Sequence, residues 1–157
     1  MSGVSAYGTL FGVSTSMSIL DLTTKPSTWD YIGELTGISG PAVSADTIDV
    51  TTHDSASGYR EFVVGLIDGG EVTLEGNLLT AGAGDELLSL SETRENVCFR
   101  VKFPTAAGST GWDWLLAGSV NSFETDAPHD GKIGFSAGVK LTGQPFMTST
   151  YTSTYAT

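Results

Sequence analysis

Apolar and polar residues alternate along three stretches of this chain. From Val97 to Phe103, the apolar Val97, Phe99, Val101 and Phe103 share one parity, and Arg100 and Lys102 share the other. A period of two is the mark of a strand with one face in a core and one face in water. Ile133 to Leu141 repeats it, with Ile133, Phe135, Ala137, Val139 and Leu141 set against Lys132, Ser136 and Lys140. From Glu71 to Leu78, Val72, Leu74, Gly76 and Leu78 oppose Glu71, Thr73, Glu75 and Asn77. Looser strand signals cover Trp29 to Ile38, Asp46 to Thr52 and Trp112 to Phe123, and His129-Asp130-Gly131 predicts the turn into the last strand. One segment departs from the pattern. Asp85 to Glu95 sets Leu87, Leu88, Leu90 and Ser91 at helical spacing, with Gly84 or Asp85 as N-cap and acids in the first turn. It predicts a short amphipathic helix whose narrow apolar stripe caps one face or end of the sheets.

These elements predict a mainly β fold, a two-sheet β-sandwich or barrel with one short α-helix. The 20 glycines and frequent Thr, Ser and Val agree with short strands and turns. At 157 residues the chain has the size of one domain that closes a core without metal or disulfide staples. Cys98 is the single cysteine, which excludes an intrachain disulfide and reads as inert core. The Ser- and Gly-rich start predicts an N-terminal arm over 1–18, and Thr-Ser-Thr-Tyr written twice near the end predicts a C-terminal arm over 147–157. The β domain then spans 19–146. Between two of its strands, His53 to Asp68 is longer than a hairpin turn needs and reads as a functional loop.

Charge narrows the partners. Seven Lys and Arg against eighteen Asp and Glu give a net charge of −11, which repels phosphate backbones and anionic lipid surfaces. Between Pro26 and Glu86 the only basic residue is Arg60. No basic segment followed by an apolar run opens the chain, so no secretory signal is expected, and no run long enough to cross a bilayer occurs.

Catalytic chemistry finds little support. His53, Asp54 and Ser55 are the residue types of a hydrolase triad, but a triad gathers its members from separated segments, and consecutive side chains cannot reach one another in that way. Gly82-Ala83-Gly84 precedes the helix as a phosphate loop would, yet the third glycine is missing and Asp85-Glu86 would sit beside the anion. Glu71 and Glu75 share a strand face at roughly 13 Å, too far apart for a glycosidase pair. Neither Asp46 to Asp54 nor Asp126 to Gly131 has calcium-loop spacing. Trp29, Trp112 and Trp114 suit a binding platform, but strand tryptophans are more often core or interface anchors. No catalytic residue, metal ligand or cofactor is expected.

The stretch from Val50 to Asn77 carries Gly58-Tyr59-Arg60-Glu61-Phe62 in a loop that leads to a Gly70-Glu71 strand. It resembles the central signature of the major tail tube proteins of long-tailed bacteriophages, and the likeness extends by organisation from about Trp29 to Gly143. Ala56, Ser57 and Val63-Val64-Gly65 stand where family members commonly carry proline and glycine. The tube protein of type VI secretion has a similar architecture. The resemblance implies a structural virion protein of the tail, assembled in the host cytoplasm. Its hexameric rings stack into a tube whose acidic bore conducts viral DNA without gripping it. Partners so implied are other copies of the chain, a tape measure protein, and tail terminator or baseplate proteins, with no membrane. Under it the loop of His53, Asp54, Gly58, Tyr59, Arg60, Glu61 and Phe62 becomes an inter-subunit contact anchored by Tyr59 and Phe62. Glu71 and Glu75, facing away from the core, become lumen acids. Two rivals compete with this reading: a monomeric or dimeric β-sandwich that binds carbohydrate or protein through its tryptophans, and a small hydrolase using His53.

Overall fold

The computed structural model describes residues 7–14, 28–79, 83–104 and 112–148. Among the described residues the strands are β1 (Leu10–Ser14), β2 (Asp30–Ile32), β3 (Leu35–Ser39), β4 (Ser44–Asp49), β5 (Phe62–Asp68), β6 (Glu71–Asn77), β7 (Val97–Lys102), β8 (Asp113–Asp126), β9 (Gly134–Leu141) and β10 (Phe146–Thr148), with one α-helix, α1 (Ala83–Thr93). Two antiparallel sheets result. Eight strands join in the order β2-β1-β7-β8-β9-β6-β3, with β10 added to β8, while β4 and β5 pair only with each other.

The outermost strands of that order, β2 and β3, are consecutive in the chain and separated by only Gly33 and Glu34. The sheet must therefore curl until its two ends meet, which gives it an inside and an outside. Glu34 makes the corner with a φ of 57°, and its carbonyl accepts the Asn77 N–H at 2.9 Å. Inside lie Phe11 and Val13 of β1, Val72 and Leu74 of β6, Val97, Phe99 and Val101 of β7, Leu116 and Val120 of β8, and Phe135, Ala137, Val139 and Leu141 of β9. The helix adds Leu87 and Leu90 to this core and leaves Leu88 to solvent. Arg94, in the left-handed region at φ 55°, ends it, and its N–H returns to the Leu90 carbonyl at 3.1 Å.

The 14-residue β8 holds the body together by changing partners. Asp113–Gly118 pairs with β7 and Gly118–Asp126 pairs with β9. A side chain at the Gly118 pivot would collide with the Lys140 carbonyl oxygen. β10 continues the β9 side along the first half of β8, through Phe146 opposite Leu115. The second half of β8 has a strand on one flank only among the described residues, and β3 likewise pairs only with β6.

Several expectations change here. Trp29 to Ile38 is two strands, because the Glu34 corner breaks the extended backbone. Residues 10–14, expected in an N-terminal arm, form β1 between β2 and β7, and Phe11 and Val13 are fully buried. Met147 and Thr148, expected in the C-terminal arm, belong to β10, while 149–157 lie outside the described residues. Ile133 precedes its strand and is half exposed, and the helix begins at Ala83, before both proposed caps. The long loop is shorter than expected: Phe62–Asp68 is a strand paired with β4, so only 50–61 connects the two.

Candidate functional site

The β4–β5 pair is a projecting ribbon whose side chains are almost all exposed. Directly paired residues share a face. Phe62 with Asp49, Val64 with Thr47 and Ile67 with Ala45 lie on one face; Val63 with Ile48 lies on the other. A bulge between Ala45 and Thr47 absorbs Gly65 and Leu66. Leu66, Ile67 and Val64 are 86%, 68% and 65% exposed, and Phe62, Val63 and Ile48 are also more than half exposed. Apolar residues thus occupy both faces of a two-stranded ribbon, an element marginal in water by itself.

The tip of the ribbon is nonetheless well ordered by its own hydrogen bonds. Val50 N–H donates to the Glu61 carbonyl at 2.9 Å, Glu61 N–H to Thr51 Oγ1 at 3.0 Å, and Ser55 Oγ to Glu61 Oε2 at 3.1 Å. Hydrogen bonds from Thr51 hold the Asp49 carboxyl below its ordinary range. Ser57, at φ 59°, and Gly58, at φ 71°, turn the chain, and Tyr59 stands 76% exposed beside Arg60. At the root, Lys140 Nζ reaches both oxygens of Asp68 at 2.8 and 2.7 Å, and Gly70 N–H donates to Asp68 Oδ1 at 2.8 Å. Lys140, with the Gly70 hydrogen bond, holds the Asp68 carboxyl below its usual range. Gly70 has a φ of 81°, and a side chain there would strike the Ala42 carbonyl.

A second surface is the outer face of β3, β6, β9 and the second half of β8. Glu71 and Glu75 are exposed on it, while Val72 and Leu74 between them are buried. Glu71 is paired with Lys140 and Glu75 with Ser136. The register of β8 adds Glu124, opposite Ser136, and Asp126, opposite Gly134. Sequence reasoning missed these two acids. A bulge at Asn121 shifts the parity of β8, so counting from Trp112 does not assign them to a face.

At the far end of β3 and β6 from the ribbon root, Asp30, Tyr31, Asn77, Leu79 and Glu86 line a cavity of ≈ 420 Å³. Burial, and then the charge of Asp30, raise the Glu86 carboxyl above its ordinary value. A carboxyl with a pKa raised by folding binds its proton more tightly folded than unfolded. Its favourable contribution is complete below the unfolded value and disappears as pH rises through the folded one. Glu86→Gln should therefore raise the melting temperature of the isolated chain at neutral pH, with the gain closing as the solution is made acid. An equal gain at every pH would assign the effect to packing instead of charge.

Beside this cavity, Arg100 forms a double hydrogen bond with Asp113, Nε to Oδ1 at 2.8 Å and Nη2 to Oδ2 at 2.6 Å. Its Nη1 donates to the Tyr31 hydroxyl at 3.1 Å, and Trp29 lies 5.8 Å away, ring centroid to guanidinium. The other tryptophans pack on each other and on Phe103, with Trp114 against the core and Trp112 half exposed.

The sequence-derived loop residues His53, Asp54, Gly58, Tyr59, Arg60 and Glu61 all fall in the ribbon tip, whereas Phe62 opens β5. Ser55 is engaged with Thr52 N–H at 3.0 Å and with Glu61. Burial raises the Cys98 thiol, which makes it a poor nucleophile. Among the described residues, no group of three or more His, Cys, Asp or Glu could hold a metal ion, and no helix is long and apolar enough to cross a membrane.

This architecture is similar to that of several solved assemblies. A chain in the tail of an empty gene transfer agent particle, refined with C6 symmetry, is 21% identical, with 88% of this chain and 94% of that chain covered at a TM-score of 0.63. A chain of the sheath–tube complex of the extracellular contractile injection system PVC, in its extended state, is 15% identical over 94% of this chain and 92% of that chain at 0.68. The SPP1 tail tube is 9% identical over 94% of this chain and 80% of that chain at 0.65. No family model and no curated protein matches the sequence. The chain has the tail-tube fold.

Proposed function

We propose that this chain is the structural subunit of a tail tube in a phage-like particle, with no catalytic role. The observation that carries the reading is the ribbon: a folded, self-ordered element with apolar side chains on both faces has a use only when other subunits cover it. The fold supports it, as does the C6 symmetry of the gene transfer agent tail. Six copies close into a ring by pairing the free edge of β3 with the free flank of β8 in the neighbour, which turns two edge liabilities into bonds. Rings stack through the ribbons. The outer face of β3, β6, β9 and β8 then lines the bore with Glu71, Glu75, Glu124 and Asp126, against the single strand cation Lys140. Such a wall repels the phosphates of passing DNA and leaves them unbound. A tape measure protein fills the bore before DNA does, and terminator and baseplate proteins close the ends.

Concentrating the purified chain should give hollow tubes or rings in electron micrographs. A monodisperse monomer at high concentration would sink the reading. In tubes that do form, changing Glu71, Glu75 and Glu124 to Lys should produce DNA retention that weakens steeply with added salt, because bound phosphates release counterions. Tubes that ignore DNA after this change would place the acids elsewhere than the bore.

A further inference from the structure

Rings that stack head to tail need complementary features at opposite poles of each subunit. The ribbon leaves the body where β3 ends and β6 begins, at Ser39 opposite Thr73. The cavity lined by Asp30, Asn77 and Glu86 lies at the other end of the same two strands, beside Leu35 and Gly76. One strand pair thus carries a projection at one pole and a recess at the other.

The recess is acidic. Asn77 Nδ2 donates to Glu34 Oε2 at 3.1 Å, which fixes the amide, and Asn77 Oδ1 is buried with no hydrogen-bond partner. Two carboxylates, Asp30 and Glu86, line the same cavity with no cation among the lining residues. A guanidinium suits such a wall, because it brings five N–H donors in a planar fork and keeps its charge when partly desolvated.

The projection holds such a group. Arg60 is exposed at the ribbon tip and is the only basic residue between Pro26 and Glu86. Of the acids at the tip, Glu61 accepts from Ser55 Oγ and Asp49 from the Thr51 N–H. The six residues of β4 extend roughly 20 Å at the strand rise, far enough to cross from one subunit into the next.

We infer that Arg60 of one copy enters the recess of the copy stacked against it, where its guanidinium takes the carboxylates of Asp30 and Glu86. Tyr59 then lies over Leu79, which is half exposed at the recess. This contact rests on the stacking reading above and gives the stack its direction: the tip of each ring fits the recess pole of the next and not another tip. It also relieves the repulsion between Asp30 and Glu86 in the isolated chain.

The test is charge exchange in the full chain, read as the concentration at which rings or tubes appear in sedimentation and micrographs. Arg60→Glu and Glu86→Arg should each raise that concentration on the order of tenfold or more, and the double variant should restore it, since the pair then meets with signs reversed. A milder variant guards against misfolding: Glu86→Gln should stabilise the isolated chain at neutral pH and yet weaken stacking, an opposition of signs that a purely structural role for Glu86 does not produce. A parent that never assembles overturns the tube reading and this contact together. A parent that stacks, with Arg60→Glu stacking equally well, overturns this contact alone, as does a double variant no better than the single ones.

Discussion

Replacing Val64, Leu66 and Ile67 together by Ser should leave the melting temperature of the isolated chain nearly unchanged and abolish stacking. All three side chains are largely in solvent, and their strand pairs only with β4. Exposed substitutions of this kind shift stability by about 0.5 kcal/mol or less each. In a stack the same side chains become buried, and each contributes about 1.5–3 kcal/mol by leaving water. Every subunit presents them, so the loss multiplies around the ring. Thermal melts and micrographs of the triple variant check both halves. A fall of many degrees in the melting temperature would mean that the ribbon packs on its own body, and normal tubes would mean that it plays no part in assembly.

The largest effect on folding is expected at Arg100 and Asp113. The two side chains are only 13% and 7% exposed, and their double hydrogen bond joins β7 to the start of β8. Removing one partner leaves the other charge buried without its counterion. Asp113→Ala or Arg100→Ala should therefore cost about 3–5 kcal/mol. For a chain of this size that lowers the melting temperature on the order of 10 °C. Replacing both residues by apolar ones of similar volume should recover most of the loss, because the main cost is the orphaned charge. Arg100 also holds the Tyr31 hydroxyl, so the single variants should loosen the three-residue β2 and expose Trp29, which fluorescence would register as a shift toward the solvent-exposed spectrum. If the single and double variants lose the same stability, the pair is not the staple its geometry suggests.

What could be read in the sequence follows from which strands have one wet face and one dry face. β6 and β9 do, and their alternation places Val72 and Val139 inside and Glu71, Glu75 and Lys140 outside; β7 keeps its period with Val101 inside, although its second face is largely covered, with Cys98 buried and Arg100 paired with Asp113. The ribbon has no dry face in the isolated chain. Phe62-Val63-Val64-Gly65-Leu66-Ile67 therefore shows no period of two, and it reads as part of a long loop until the pairing with β4 is seen. β1 sits in a Ser- and Gly-rich segment, and five residues are too few for a periodicity to stand out. Trp29 to Ile38 looks like one strand because only the Glu34 backbone turns the corner, and nothing in its side chain announces that. The Glu34, Asn77 and Glu86 side chains gather only after the sheet has curled, and no spacing along the chain signals that meeting.

The root of the ribbon divides the chain into a body and a segment attached to it. The chain departs after Ser39 and returns at Glu71, two points on neighbouring strands whose register is already set by β3 and β6. The Asp68 to Lys140 ion pair and the close approach of Gly70 to Ala42 fasten the departure point, not the ribbon beyond it. A segment that starts after Ala42 and finishes before Asp68 can be exchanged with these root contacts kept. Because the ends are already adjacent, a longer or shorter insert changes the closure entropy only slowly. The ribbon is in this sense a cassette. If the ribbon carries the stacking contact, what a subunit stacks on is set by a segment that its own core does not need.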